Sequence, residues 1–176
     1  MKKDLQQTSN SNLIMAIYAD DKKGLLGQIL MLFNRRSYTI YDLSVARTDI
    51  KDIILITIEA QLSPGEANTI THKIRNIIEV HEVISYPANE VKLNKIAYFK
   101  LSGKCLDHGL WTKLQKYGAT ITEMQSDALI VQKIGTDQDL DELYQQLDGE
   151  FLISYCKSGL VIPQSMIALD SLFQDA

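Results

Sequence analysis

The residues of this chain whose types and spacing could do chemistry first appear at 19–43, where an apolar stretch runs into Asp20 and Asp21 and then into a glycine pair. A glycine at the start of a helix leaves backbone N–H groups open, and these groups, with the positive end of the helix dipole, can hold a carboxylate. Gly24 and Gly27 could equally serve the backbone alone, Gly24 through a positive φ and Gly27 through close helix packing. The spacing therefore leaves two interpretations open, an anion-binding loop or a tightly built turn.

Few side chains are candidates for nucleophilic or acid–base catalysis. Ser102 and Cys105 have no base at a distance that the sequence can show. Adjacent residues at a strand end point to opposite sides, so Asp20 and Asp21 are predicted to be solvated loop acids and not a catalytic pair. The sequence therefore indicates no active site.

A metal site would have to use His72, His81, His108, Cys105 and Cys156. Only Cys105 and His108 have a ligand-like spacing, and the paired C-x-x-C or H-x-x-x-H signature of structural zinc is missing. Two cysteines without such spacing indicate no disulfide framework, and both are expected to be buried free thiols. We therefore expect neither a metal nor another cofactor in this chain.

Composition and charge narrow the classes of partner. The chain has 176 residues, 45% of them hydrophobic, which is enough for one sizeable domain or two small ones with real cores. A net charge of -4 with scattered Lys and Arg offers no basic surface for nucleic acid. The polar start "MKKDLQQTSNSN" and the absence of an apolar run of roughly 18 residues indicate neither a signal peptide nor a membrane helix. No G-x-G-x-x-G follows a strand, so nucleotide binding has little support. The expected location is the cytoplasm.

The hydrophobic period of the first half switches between two and about 3.6, which predicts the order βαββαβ. The strand at 13–18 is predicted to be buried on both faces. In "TIYDLSVA", alternation places Tyr41, Leu43 and Val45 on one face. Tyr38 and Tyr41 could serve either sheet packing or a subunit contact, and the sequence leaves both roles open. In "SPGEA", proline and glycine are expected to supply a turn. The predicted helix stripes are Leu26, Ile29, Leu30 and Phe33 in the first helix, and Ile70, Ile74, Ile77 and Ile78 in the second.

The second half repeats the same order of elements. "GLLGQILMLFNRRSYTI" and "GLWTKLQKYGATI" both run from a Gly-Leu helix start into a Thr-Ile strand. Asp137 is the expected N-cap of the last helix, and Trp111 is expected in the core beside Leu110 and Leu114. The predicted fold class is α+β, with two tandem ferredoxin-like βαββαβ domains whose antiparallel sheets carry helices on one face.

The domain boundaries follow from these patterns. We expect a disordered N-terminal segment at 1–12, a first domain at 13–86, and a polar linker, "PANEVKLN", at 87–94. A second ferredoxin-like domain is expected at 95–162, followed by a tail at 163–176.

Residues 14–49 resemble the N-terminal ACT domain of the regulatory small subunit of acetolactate synthase (acetohydroxyacid synthase). Segments of the second half, "KIAYFKLSG", "YGATITEMQSDALIVQKIGTDQDLDEL" and "YCKSGLVIPQ", resemble the C-terminal domain of the same family in order and spacing. Several anchors spread over both halves carry the resemblance. In the first half, Asp20 matches the family in residue type. The other anchors there are Gly24, Leu26, Phe33, Arg36, Tyr38, Ile40, Leu43, Val45, Ala46, Thr48 and Asp49.

The resemblance implies a non-catalytic regulatory subunit of branched-chain amino acid biosynthesis. Such a subunit activates a large catalytic subunit that uses thiamine diphosphate, magnesium and FAD to join pyruvate to a second 2-oxo acid. It also carries a feedback site for valine or another branched-chain amino acid. The alternative is a free-standing ACT-domain amino-acid sensor that controls a different enzyme or a transporter. Strands that are apolar on both faces need a cover, so we expect a homodimer through the ACT domains.

The resemblance also assigns an effector site between two ACT domains. Its residues in this chain are Asp21, Gly24, Leu25, Leu26, Thr39 and Ile40. Asp21 and Thr39 each stand where the family has Asn, Ser37 replaces a Gly, and Arg47 replaces a Pro. Since an ionised Asp accepts hydrogen bonds but cannot donate them, we expect this site to respond poorly to valine.

Overall fold

A computed structural model describes residues 11–91, 93–107 and 109–159. Within that part of the chain, residues 11–91 form one compact unit, here the N-terminal unit, and the residues from Leu93 onward form a second, the C-terminal unit. Each unit has the order βαββαβ, with its sheet in the order β2-β3-β1-β4 or β6-β7-β5-β8 and every neighbouring pair antiparallel. The predicted class of two tandem ferredoxin-like domains is confirmed. The predicted tail at 163–176, His108 and residues 1–10 of the N-terminal segment lie outside the described residues.

The elements are bounded as follows. The N-terminal unit contains β1 (Ser11–Asp20), α1 (Leu25–Asn34), β2 (Thr39–Arg47), β3 (Ile53–Leu62), α2 (Pro64–Arg75) and β4 (Val80–Pro87). The C-terminal unit contains β5 (Lys95–Ser102), a short 3-10 helix (Gly103–Asp107), α3 (Leu110–Tyr117), β6 (Thr120–Met124), β7 (Ala128–Gly135), α4 (Asp137–Leu147) and β8 (Leu152–Gly159).

The central strand β1 is buried on both faces, as its unbroken apolar run predicts. Met15 and Ile17 lie on the core face of the sheet, among the buried residues of α1 and α2. Ala16 and Tyr18 lie on the opposite face, in a second buried cluster that contains Leu55 of β3. The alternation of successive side chains in a strand therefore supplies two apolar layers from one continuous hydrophobic sequence.

Strand β2 departs from the predicted alternation. A β-bulge between Ile40 and Asp42 shifts its register against β3, so Ile40 and Leu43 both pack on the core. Tyr41 does not share their face; it is 53% exposed and its hydroxyl donates to Gln61 Oε1 at 3.2 Å. Assigning Tyr41 to the face of Leu43 was wrong because a bulge inserts one residue that strict alternation does not count.

The starts of two helices also correct the sequence interpretation. Pro64 is not part of a turn but the first residue of α2, preceded by the N-cap Ser63 in a capping box with Glu66. The N-cap of α4 is Thr136 and not Asp137; Thr136 Oγ1 accepts from the backbone N–H of Asp139 at 3.3 Å. Proline suits the first helical turn because the N–H that it lacks would have no helical partner there.

Several predicted core positions lie at the surface. Trp111 is 55% exposed and Ile78 is 92% exposed, whereas Leu110 and Leu114 are buried as predicted. In α1 the buried residues are Leu25, Ile29 and Phe33, and the predicted stripe members Leu26 and Leu30 are half-buried. Cys105 is a buried free thiol as expected, but Cys156 is exposed.

The turn between α1 and β2 contains a residue in a backbone conformation that disfavours side chains. Ser37 has a φ of 54°, in the left-handed region that glycine adopts most readily. We expect Ser37→Gly to raise the free energy of unfolding by about 0.5–1 kcal/mol, because relief of strain exceeds the added freedom of the unfolded chain. Denaturant unfolding measures the difference. Ser37→Ala is the control, since it keeps the Cβ atom and should give no gain; equal stabilisation by both variants would contradict the prediction.

Candidate functional site

The loop between β1 and α1 leaves a helix start uncapped. Gly24 is the N-cap of α1 with a φ of 87°, and no side chain in the described part of the chain caps this end of the helix. The amide N–H groups of Gly24, Leu26 and Gly27 donate no hydrogen bond to any described residue, whereas that of Leu25 donates to the Lys22 carbonyl at 3.3 Å. Open donors at the positive end of a helix dipole are able to bind an anion such as a carboxylate.

The two glycines of this loop have different roles. Gly24 needs to be glycine for its positive φ. A Cβ atom on Gly27 would meet nothing within 4 Å, so close helix packing does not explain that residue. The structure therefore supports a backbone role for Gly24 but not for Gly27. The turn at Gly24 still leaves the amide donors at the start of α1 open to solvent.

The six predicted effector residues fall into two groups in one chain. Asp21, Gly24, Leu25 and Leu26 follow the end of β1, whereas Thr39 and Ile40 begin β2. The two groups lie at opposite ends of the sheet, since Asp20 pairs with Ile53 and Thr39 pairs with Gln61 of the same strand β3. At about 3.3 Å per residue, eight residues separate the ends by about 26 Å. One chain therefore does not bring all six together.

Accessibility also divides these residues. Asp21, Gly24 and Thr39 are exposed, while Leu26 and Ile40 are half-buried against the core and Leu25 is buried within it. The exposed members can contact a ligand, and the leucine at 25 anchors the helix start.

A charged cluster, composed of Asp20, Lys22, Glu79 and His81, supports the loop. The Asp20 carboxylate lies 2.7 Å from His81 Nε2 and 3.3 Å from Lys22 Nζ, and Lys22 Nζ lies 3.7 Å from Glu79. The hydrogen bond from His81, with that from Lys22, lowers the pKa of Asp20 from its ordinary value of 3.8. Asp20 is therefore a paired acid and not a freely solvated one. Sequence reasoning considered His81 only as a metal ligand, because its pairing depends on the contact between β1 and β4.

The β2–β3 hairpin holds the loop from its other side. The backbone N–H of Asp21 donates to the Asp52 carbonyl at 2.7 Å, and Asp52 itself has a φ of 65°. Thr48 Oγ1 donates within the hairpin, 3.0 Å from the Ile53 carbonyl oxygen, and accepts from the Ile50 N–H at 3.2 Å. The position of Asp21 is therefore set by a hairpin distant in sequence, which no local pattern indicated.

The candidates for other chemistry do not form a site in the described residues. Ser102 Oγ accepts from the Lys104 N–H at 3.5 Å, and burial raises the pKa of the Cys105 thiol. Within the described ranges, no three side chains of His, Cys, Asp or Glu lie where they could hold a metal ion. No helix in those ranges is long and apolar enough to span a bilayer.

Two units of this fold in tandem define a protein with paired ferredoxin-like domains. The chain is similar to acetolactate synthase small subunits. It is 22% identical over 148 residues to that of Mycolicibacterium smegmatis, covering 84% of this chain and 87% of the relative. It is 23% identical over 150 residues to that of Haemophilus influenzae, covering 84% and 92%.

The solved structure of the acetolactate synthase small subunit from Thermotoga maritima has the same fold, with a TM-score of 0.77 at 15% identity over 86% of this chain and 95% of that one. No family model matches the chain. The resemblance to acetolactate synthase small subunits that the sequence indicated is confirmed, and it extends through both units.

The lowered pKa of Asp20 makes its contribution to stability dependent on pH. A carboxyl group whose pKa is depressed by folding stabilises the protein above its unfolded value, near 3.8, and this contribution is lost as the pH falls through the folded pKa. We expect Asp20→Asn to lower the free energy of unfolding by about 1 kcal/mol or less at about pH 7, and to have a smaller effect at about pH 2.5. Denaturant unfolding at both pH values measures this. Asp49→Asn, at an exposed acid of the β2–β3 hairpin, is the control; an Asp20→Asn effect that does not change with pH would contradict the assignment.

Proposed function

We propose that this chain is a non-catalytic regulatory small subunit of acetolactate synthase that acts in branched-chain amino acid biosynthesis in the cytoplasm. The observation that carries the proposal is similarity to small subunits of this enzyme across 84% of the chain. The fold supports it, because the Thermotoga maritima small subunit shares the tandem architecture over nearly its whole length.

The proposed partner is the large catalytic subunit, with thiamine diphosphate, magnesium and FAD bound to that subunit and not to this chain. The partner joins pyruvate to a second 2-oxo acid. A subunit without catalytic groups raises a rate only by binding the active state of its partner more tightly than the inactive state. The role proposed for this chain is to bind the active state of the large subunit more tightly than its inactive state.

We further propose that two copies associate through their N-terminal units along β2. Strand β2 is an edge strand that exposes Tyr41 and Val45, and exposed edges need a cover. Antiparallel pairing of two β2 strands across a two-fold axis would place the Thr39 end of one copy at the Arg47 end of the other. That arrangement would unite the two separated groups of effector residues, Thr39 and Ile40 from one copy with Asp21 to Leu26 of the second.

The second candidate is a free-standing ACT-domain sensor that controls a different enzyme or a transporter. The open helix start at Gly24 favours it equally, since an amino-acid site requires no catalytic partner. The two candidates differ in what the chain binds in the cell. Co-purification with a thiamine diphosphate enzyme favours the first candidate, and its absence favours the second.

Reconstitution tests the proposed role directly. The chain alone should form no acetolactate, and its addition should raise the rate of the large subunit from the same organism several-fold at saturating cofactors. Acetolactate formation with and without the chain is the measurement, with bovine serum albumin as the protein control. An unchanged rate would refute the role as an activating subunit.

The proposed effector site leads to a prediction about valine. Asp21 can accept a hydrogen bond from the ammonium group of an amino acid, but it repels the carboxylate that the open amides would bind. We expect Asp21→Asn combined with Thr39→Asn to strengthen valine binding more than about tenfold, since loss of a donor to a charged group costs about 1.5–3 kcal/mol. Calorimetry of the unmodified and double-variant chains measures this. Tight binding by the unmodified chain, or no gain in the double variant, would show that these two residues do not control the site.

A further inference from the structure

The face of the N-terminal sheet that is turned away from its helices, here the second face, is buried. Ala16, Tyr18 and Leu55 lie on it and are 0%, 3% and 4% exposed. In the described part of the chain, the buried residues of α1 and α2 all belong to the cluster on the other face, with Met15 and Ile17. An antiparallel sheet with helices on one side ordinarily leaves its other side to solvent. Another part of the protein must therefore cover the second face.

A polar side chain on the second face indicates the chemistry of that cover. Thr57 pairs with Ala16, so both side chains lie on this face, and Thr57 is itself buried. Its hydroxyl oxygen has no hydrogen-bond partner among the described residues. Water or a polar cover would supply a partner, since an unsatisfied buried hydroxyl costs free energy. The cover is therefore apolar where it meets Thr57.

Of the two longer segments outside the described residues, 1–10 and 160–176, only the second has the composition for such a cover. Residues 1–10 contain Met1 and Leu5 among polar and charged neighbours. The large apolar residues of segment 160–176 are Leu160, Val161, Ile162, Met166, Ile167, Leu169, Leu172 and Phe173. From Met166 onward they recur every three or four residues, with Asp170, Ser171 and Gln174 between them. This spacing predicts an amphipathic helix with one apolar side.

Segment 160–176 begins within reach of the second face. It follows Gly159, which pairs with Lys95 at the start of β5. Only residues 88–94 separate Lys95 from Pro87, which bounds the distance between those two residues at about 29 Å. Pro87 in turn pairs with Leu13 on the central strand β1. The connection is therefore short enough for the segment to return to the N-terminal sheet.

The segment is also long enough to cover the sheet. Proline suits the first turn of a helix, so a helix can begin at Pro163. From there to residue 176 it would be about 21 Å long, at 1.5 Å per residue. The axes of the two outer strands of a four-stranded sheet lie about 14 Å apart. One such helix can therefore cross all four strands.

We propose that residues 160–176 fold back over the second face of the N-terminal sheet of the same chain, with the apolar side of an amphipathic helix against Tyr18 and Leu55. Neither a second copy nor the large subunit is needed to cover this face. The proposal concerns the chain by itself and does not depend on the proposed function.

Thiol labelling of the full chain tests the proposal. Thr57→Cys places a thiol under the proposed cover, in a chain that also carries Cys156→Ser to remove the exposed natural thiol. We expect N-ethylmaleimide to modify this thiol at least about tenfold more slowly than it modifies Cys156 of the unmodified chain, because labelling must wait for the cover to open. Adding Leu172→Asp should restore at least about tenfold of that rate, since a charge on the apolar side of the helix opposes docking. Mass spectrometry of the labelled peptides measures each thiol separately.

Two controls are built into the chain. Ser171→Asp adds the same charge at the neighbouring polar position and should leave the labelling rate unchanged. Cys105 is buried in the core of the C-terminal unit, so its slow labelling shows that a variant has stayed folded. If Leu172→Asp also exposes Cys105, the milder Leu172→Ala takes its place under the same criteria.

Three results would overturn the proposal. Rapid labelling of Thr57→Cys without a change in the segment would show that the second face is open. Equal rates in the variants at Leu172 and Ser171, with Cys105 protected, would show that something else covers it. Protection that is lost when the protein is diluted would place the cover in a second copy of the chain. Acetolactate formation enters none of these measurements, so the regulatory role stands or fails separately.

Discussion

The pairing of β1 with β3 is the constraint on which the N-terminal unit depends. The two strands pair along the whole length of β1, from Ser11 opposite Leu62 to Asp20 opposite Ile53. A slip of one residue would turn every side chain of β1 to the other face, and both faces are buried, so the register is strongly specified. This register also brings the end of β1 to the hairpin before β3, where the loop that begins at Asp21 is held.

The repeated order of elements produces similar helix starts in the two units. α1 and α3 both begin after a glycine with a left-handed backbone, at Gly24 and Gly109, and among the described residues neither helix has a side-chain cap. α2 and α4 both begin with a capping box, built on Ser63 and Thr136. Capped helices satisfy their first amides internally, so the donors available to a ligand are those of the first helix in each unit. Of these, the start of α1 has charged residues of both signs around it.

Charge pairing divides the end of the N-terminal sheet into two parts. Asp20, with His81 and Lys22, forms a group in which each charge has a partner. A cavity next to it is lined by Asp21, Arg47, Lys51 and Asp52, whose side chains have no charged partner among the described residues. Exposed ion pairs of this kind contribute at most about 1 kcal/mol each, so their main effect is to set the position of the loop. Because the edge strand β2 runs from Thr39 at the far end to Arg47 at this end, Thr39 and Ile40 lie far from Asp21 within one chain.

The sequence by itself determined the order of elements, the fold class and the apolar layers of the central strands, because periods of two and 3.6 follow from the local geometry of the backbone. It also indicated that Gly24 lies at a helix start, since glycine before a helical pattern is a local signal. Local patterns could not show the exposure of Trp111, which depends on what the rest of its unit covers.

Only the tertiary structure decided the face of Tyr41, the pairing of Asp20 with His81, and the separation of Thr39 from Asp21. Each depends on which residues of distant strands lie opposite one another. A bulge, an ion pair between strands and the distance between two strand ends are properties of register, and register is set by pairing between segments that are far apart in the chain.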